Sequence, residues 1–224
     1  MTITTRTIRP LLIGLTGHAN AGKDTVAQLL SIHTGAARFA FADGVYQEVA
    51  RAFDVSSTAV LGLRATKEIP IDCLALYRCM DRGFVDALPA HIRSEPYKAR
   101  SPRNILQWWG TEYRRAQNPG HWVAAAQQTI LGLWAQPMPP SSIVVTDVRF
   151  PNEAELIRNL GGFIWKIERP GAAPAPTGHI SEVQGDEFRP DLTIGNVHDI
   201  RHLQSIVLPL WKELQERHAT RAGA

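Results

Sequence analysis

The residues with the clearest chemical content lie together in Gly17-His18-Ala19-Asn20-Ala21-Gly22-Lys23-Asp24-Thr25. Gly17 and Gly22 let the chain curl so that successive backbone N–H groups, those of Asn20 and Ala21 among them, converge on an anion. Lys23 brings a cation to the outer phosphates of such a ligand. A Ser or Thr that holds Mg²⁺ usually follows this lysine, but here the position is Asp24, with Thr25 next. A carboxylate is a hard ligand that keeps Mg²⁺ binding, directly or through a water. Thr25 can still give its hydroxyl to an inner phosphate. The chemistry implied is the binding of ATP or a related nucleoside triphosphate with Mg²⁺. A plain glycine turn would need the same glycines but not the lysine.

A second set of groups belongs to the far end of an apolar run. Ser142-Ile143-Val144-Val145-Thr146 is β-branched and nearly continuous, as a strand buried on both faces requires, and it ends in Asp147-Val148-Arg149. An acid at the carboxyl end of a central strand beside a phosphate loop holds Mg²⁺ or its waters, and Arg149 points to the same mouth. An ion-paired Asp147–Arg149 turn is the simpler alternative. Asp43 follows Phe39-Ala40-Phe41-Ala42, where it reads equally as a helix N-cap and as a substrate contact.

The elements that must position these groups follow from periodicity. Leu11–Thr16 is a strand running into the loop, and Val26, Leu29 and Leu30 mark one face of the helix behind it. Further strands are expected near 36–42, 142–146, 163–167 and 191–194, with helices between them, which argues for a parallel sheet covered on both faces. Residues 56–100 carry many cations, including Arg64, and no βαβ unit needs them, so a helical insertion is expected there. Ser101-Pro102 opens a helix with a capping hydroxyl and a proline at its first position. At 100° per residue Ile105, Leu106, Trp109, Tyr113 and Ala116 share a core face, while Asn104, Trp108, Thr111 and Arg115 form another stripe. A tryptophan on that second stripe can stack on a base while Arg115 reaches a phosphate; packing against the insertion is the bland alternative. The final helix carries Ile200, Leu203, Val207, Leu210 and Leu214, with Pro209 expected to kink or interrupt it and the tail from Arg217 expected to fray. These residues suit packing on the sheet or the seam of a homodimer, and the pattern does not choose.

Composition sets the bounds. The 224 residues suit one domain with a lid or insertion, at 44% hydrophobic and 20% charged residues. A net charge of +3 suits a polyanionic small ligand and does not by itself argue for nucleic acid. The two cysteines, Cys73 and Cys79, fit no metal-ligand spacing and read as reduced thiols. No secretory pattern or run of about 20 apolar residues is present, so a cytoplasmic protein without a membrane partner is expected.

Several stretches together resemble the bacteriophage and prophage deoxynucleoside monophosphate kinases. They are Gly22-Lys23-Asp24-Thr25, Phe39–Asp43, Gln107-Trp108-Trp109-Gly110-Thr111-Glu112-Tyr113-Arg114-Arg115, Thr146–Glu153 and His179-Ile180-Ser181-Glu182. The resemblance implies an α/β P-loop fold with a five-stranded parallel sheet, helices on both faces and a helical lid. It also implies transfer of the γ-phosphoryl of ATP to a deoxynucleoside monophosphate for phage DNA precursor synthesis, in the host cytoplasm. A single domain is expected, its core at about 10–55 and 136–217 and its substrate-binding insertion at about 56–135. Charge compensation in such a transfer makes Lys23, Asp147 and Arg149 the expected catalytic residues, with Asp24 and Asp147 serving the metal. Asp43, Gln107, Trp108, Glu112 and Arg115 fall to the acceptor. Relatives often carry a proline and a lysine where this chain has Gly44-Val45-Tyr46, so Arg64, Arg103 or Arg115 must replace that cation. His179, Ser181 and Glu182 order a loop or contact the adenine. Two competing readings are a kinase for a modified nucleotide or a modified base in DNA, and a regulatory ATPase.

Overall fold

The computed structural model describes residues 9–172 and 188–223. These form two compact units, one of Met1–Ala40 with Ala126–Ala224 and one of Phe41–Ala125. The second unit takes in Phe41–Ala52, a helix that the sequence reading grouped with the sheet.

The first unit is built on a five-stranded parallel sheet in the order β2-β3-β1-β4-β5. Its strands are β1 (Leu11–Thr16), β2 (Ala37–Phe39), β3 (Ser142–Val145), β4 (Phe163–Glu168) and β5 (Leu192–Gly195). All six residues of β1 and all four of β3 are buried, as their unbroken apolar runs require. β1 pairs with β3 from Leu11–Ser142 to Gly14–Val145, and with β4 from Ile13–Phe163 to Thr16–Lys166. Helices α1 (Lys23–Thr34), α8 (Pro151–Asn159) and α9 (Ile200–Gly223) cover the sheet; α8 packs on β1 and β4, and α9 packs on α1. Leu11, Ile13, Leu15, Val26, Leu30, Trp165, Leu203 and Val207 share one core, so α9 uses its apolar face inside this unit.

Helix α9 runs continuously from Ile200 to Gly223 with Pro209 inside it, so the expected interruption at the proline is corrected. A proline removes one N–H and perturbs one turn, and a 24-residue helix docked on α1 absorbs that local loss. Ile200, assigned to the apolar face, is 57% exposed.

The second unit is mostly helical. It contains α2 (Phe41–Ala52), α3 (Ser57–Ala65), α4 (Arg82–Ala87), α5 (Ala90–Arg93), α6 (Pro102–Gln107) and the start of α7 (His121–Trp134). Ser101 caps α6 by accepting from the Asn104 N–H, with Pro102 at its first position, as its residues dictate. From Trp108 to Arg115 the helix continues with π geometry. The wider turn still buries Trp109 and Tyr113, but it rotates the following residue off the stripe, and Ala116, expected in the core, is exposed. Phe84 lies 4.7 Å from the Trp109 ring and 5.6 Å from the Tyr113 ring, forming an aromatic core with Phe53. Helix α2 begins at Phe41, so Asp43 is not its N-cap but sits inside its first turn, where a carboxylate still favours the helix dipole.

Among the described residues no helix is long and apolar enough to cross a membrane. Both cysteines are free thiols; burial pushes the Cys79 thiol up to about 11.

Candidate active site

In the first unit the loop after β1 has the backbone that its glycines imply. Gly17 has φ +131° and Gly22 has φ +106°, with Asn20 at +61° between them. A Cβ at Gly17 would meet the Ile167 carbonyl oxygen at 2.2 Å, so no other residue fits that position. Helix α1 starts directly behind, with Gly22 as a cap that offers no side chain. Its first N–H groups therefore have no side-chain cap to satisfy them, which is the arrangement that accepts phosphate oxygens.

Lys23 is the first residue of α1, and its Nζ donates to the carbonyls of Gly17 at 2.7 Å and His18 at 2.8 Å. Burial, with the charge of Arg149 adding to it, pulls the Lys23 pKa down to about 8, while Asp24 and Asp147 pull the other way. Lys23 therefore feels the charges of the three other groups expected to share its chemistry, Asp24, Asp147 and Arg149. Asp24 lies in the first turn of α1 and is exposed; Thr25 beside it is half-buried. Among the described residues no cluster of three or more His, Cys, Asp or Glu groups could hold a metal by itself. Asp24 and Asp147 are carboxylates of the type that Mg²⁺ takes together with phosphate oxygens and water.

The turn after β3 is fixed from both sides. Thr146 N–H donates to the Phe39 carbonyl at 3.0 Å, and Val148 N–H donates to the Leu15 carbonyl at 2.9 Å, which sets half-buried Asp147 at the ends of β1 and β2. The carboxylate of Glu153, a residue only 2% exposed, accepts from the N–H groups of Arg149 at 2.9 Å and Phe150 at 3.2 Å. Glu153 thus anchors the backbone that carries Arg149. Its signal was present in the sequence as a glutamate at the third position of a helix. Asn196, just past β5, is a second residue that sequence reasoning missed: its Nδ2 donates to the Ala21 carbonyl at 2.9 Å. A single polar residue after a short strand gives no signal of that kind.

The residues expected at the acceptor all fall in the second unit. Asp43 and Arg64 pair with each other at 2.5 Å, and Arg64 also lies over the Tyr46 ring at 4.7 Å. Arg103 pairs with Glu68, and its N–H donates to the Lys67 carbonyl at 2.9 Å. Gln107 and Trp108 are half-buried, Glu112 is exposed, and Arg115 donates to the Pro119 carbonyl at 3.5 Å. A further polar network of this unit, centred on Glu48, has no signal in the sequence. Glu48 accepts from Trp109 Nε1 at 2.8 Å and Arg114 Nε at 2.6 Å, and pairs with His121 Nε2 at 2.7 Å. Burial acts to raise the Glu48 pKa, but the hydrogen bonds from Trp109, Arg114 and His121 win and hold it below the ordinary carboxylate value. His179, Ser181 and Glu182 lie outside the described residues.

A parallel sheet of this order with a lysine-bearing phosphate loop between β1 and α1 defines a P-loop protein of the α/β class. No family model matches the chain. A deoxynucleotide monophosphate kinase, so named, of Acanthamoeba polyphaga mimivirus is 31% identical over 181 residues, covering 78% of this chain and 81% of its own. The deoxynucleoside-5′-monophosphate kinase of Escherichia phage T5 is 31% identical over 185 residues, covering 66% of this chain and 72% of its own. The chain belongs to the deoxynucleoside monophosphate kinase family. Two solved structures are also similar: TT1252 from Thermus thermophilus, with 16% identity, TM-score 0.48 and 92% and 98% of the two chains covered, and a sugar kinase from Janibacter sp. HTCC2649, with 15% identity, TM-score 0.31 and 89% and 91% covered. At those scores neither bears on the assignment.

Proposed function

We propose that this chain transfers the γ-phosphoryl group of ATP to a deoxynucleoside 5′-monophosphate, giving ADP and the diphosphate. The observation that carries this reading is Lys23 at the head of α1, under the joint influence of Asp24, Asp147 and Arg149. Kinship to proteins named for that reaction supports the acceptor class.

Phosphoryl transfer asks for alignment and charge compensation, with little covalent work from the protein. The loop backbone from Gly17 to Gly22 and the N–H groups of α1 cradle the phosphates of ATP, with the Thr25 hydroxyl on an inner one. Lys23 leaves the carbonyls of Gly17 and His18 for the β- and γ-phosphates, exchanging two neutral acceptors for an anion. Arg149, anchored through Glu153, compensates charge on the group in transit. Asp24 and Asp147 are the carboxylates assigned to Mg²⁺, which when bound neutralises phosphate charge. The acceptor oxygen is already ionised, so no general base is required. Trp108 stacks on the acceptor base, and Arg115, with Arg64 or Arg103, meets its phosphate; Asp43, Gln107 and Glu112 complete that side. Substrates of this kind and two free thiols fit a cytoplasmic enzyme.

The test is ADP release from ATP and Mg²⁺ with each deoxynucleoside and ribonucleoside monophosphate offered separately. Strong stimulation by one or a few deoxynucleotides is expected. Saturable ATP hydrolysis that no monophosphate stimulates would overturn the reading.

A further inference from the structure

The geometry points to Arg100 as the residue that positions Trp108 for the acceptor base, an inference that rests on the stacking role proposed above. Arg100 is only 8% exposed although it carries a guanidinium. Its Nη2 donates to the carbonyls of Ile92 at 3.0 Å and Glu95 at 3.2 Å, and lies 3.5 Å from the Glu95 carboxylate. Its main chain is fixed as well, because its carbonyl accepts from the Ile71 N–H at 3.0 Å. One buried donor, Nε, has no hydrogen-bond partner among the described residues. Leaving such a donor unpaired costs free energy, so the side chain is not placed there for hydrogen bonding alone.

What the guanidinium does have is an indole. Its Cζ lies 5.7 Å from the centroid of the Trp108 ring, within cation–π range. Trp108 and Trp109 are neighbours in sequence with opposite surroundings. Trp109 is 1% exposed and packs on Phe84 and Tyr113, whereas Trp108 is half-buried and among the described residues has no aromatic ring against it. No aromatic ring among the described residues sets the Trp108 orientation, and Arg100 does so by lying over the ring. Trp108 also opens the π-helical segment, a departure from α geometry that often accompanies function. A planar fork anchored through one end to two carbonyls can lie along an indole in a way that a lysine ammonium cannot.

The consequence is a positioning residue for acceptor affinity. The experiment compares Arg100→Met, Arg100→Lys, Trp108→Leu and the Arg100→Met/Trp108→Leu double variant in the full chain. Steady-state kcat, KM for the acceptor, KM for ATP and thermal midpoint are measured for each. Trp108→Leu is expected to raise the acceptor KM about tenfold at unchanged ATP KM, through loss of stacking. Arg100→Met is expected to raise the acceptor KM about threefold to tenfold, and to add less than twofold when Trp108 is already leucine. Arg100→Lys keeps the charge and the stem and is expected to show the same acceptor-only rise, so it decides the matter if Arg100→Met does not fold. Additive effects in the double variant, an equal rise in ATP KM, or an unchanged acceptor KM in folded Arg100→Lys would overturn the inference. If Trp108→Leu raises the acceptor KM and the Arg100 variants do not, the inference fails alone. If Trp108→Leu changes nothing, the stacking reading fails and the inference fails with it.

Discussion

Asn196, just past β5, donates its Nδ2 to the backbone carbonyl of Ala21 inside the phosphate loop, at 2.9 Å and buried from solvent. The same Nδ2 would lie 2.4 Å from a Cβ at Gly22, so the amide also fills the space that glycine leaves. The Asn196 N–H donates to the Glu168 carbonyl at 2.7 Å, so the brace is itself fixed to the sheet. Asn196→Ala should strand the Ala21 carbonyl, cost about 1–3 kcal/mol of stability and raise the KM for ATP. Asn196→Asp should be worse, because a carboxylate would face a carbonyl oxygen. Gly22→Ala should not be rescued by Asn196→Ala, since the positive φ remains. Denaturant titrations and ATP kinetics on these three single variants and the Gly22→Ala/Asn196→Ala double variant check this; a wild-type ATP KM in both Asn196 variants would remove the brace.

Lys23→Ala tests the centre of the mechanism. Loss of a preorganised cation at the transferring phosphates should lower turnover by at least about a hundredfold to a thousandfold. The thermal midpoint should hold or rise, because the variant no longer carries a cation that burial disfavours. Near-normal ADP release from a folded Lys23→Ala protein would sink the assignment.

The strands and the phosphate loop were legible because each is encoded locally. An apolar run of β-branched residues reads as a buried strand wherever it falls, and the Gly17–Gly22–Lys23 spacing needs no distant partner. The turn carrying Asp147 and Arg149 could be placed for the same reason. What stayed hidden depends on pairing across sequence. Glu48 meets its donors Trp109, Arg114 and His121 only after sixty or more residues of chain have folded back. Asn196 reaches Ala21 across 175 positions. The π geometry of Trp108–Arg115 was hidden differently, because a fixed 100° step assumes the very geometry in question.

ATP affinity should depend on pH through Lys23. Its folded-state pKa of about 8 lies below the ordinary 10.5, so the free protein sheds this proton over a range where the unfolded chain keeps it. The folded state thus binds fewer protons between those values, and the residue's contribution to stability rises with pH across that window. Binding a triphosphate favours the protonated form, so ATP should bind with proton uptake near pH 8 and progressively more weakly above it. Calorimetry in buffers of different ionisation enthalpy measures the uptake. Lys23→Arg, which does not titrate in this range, should abolish it even if turnover is lost.

Glu48 should dominate the stability of the second unit. Glu48→Ala removes the acceptor for Trp109, Arg114 and His121 together, and a cost of about 1–3 kcal/mol is expected, since the group is only partly buried. The carboxylate is held below its ordinary value of 4.5, so its contribution is complete above that pH and is lost as pH falls through the folded-state value. Urea titrations of the wild-type and Glu48→Ala proteins should therefore converge toward acid pH. A gap that is constant with pH would show the carboxylate charge to be irrelevant.

The two carboxylates assigned to the metal can be separated from their effect on Lys23. Both raise the lysine pKa, Asp24 more than Asp147, so Asp24→Asn should lower it further and weaken ATP binding most at alkaline pH even without Mg²⁺. A metal role predicts something else: at pH 6, well below the Lys23 value of about 8, the Mg²⁺ concentration for half-maximal turnover should rise about tenfold or more in either variant. Chelation should stop turnover while leaving the thermal midpoint unchanged, because no cluster of three or more ligating groups among the described residues awaits an ion for folding. If Asp147→Asn loses turnover but keeps the wild-type Mg²⁺ requirement, Asp147 is orienting Lys23 or Arg149 and is not a metal ligand.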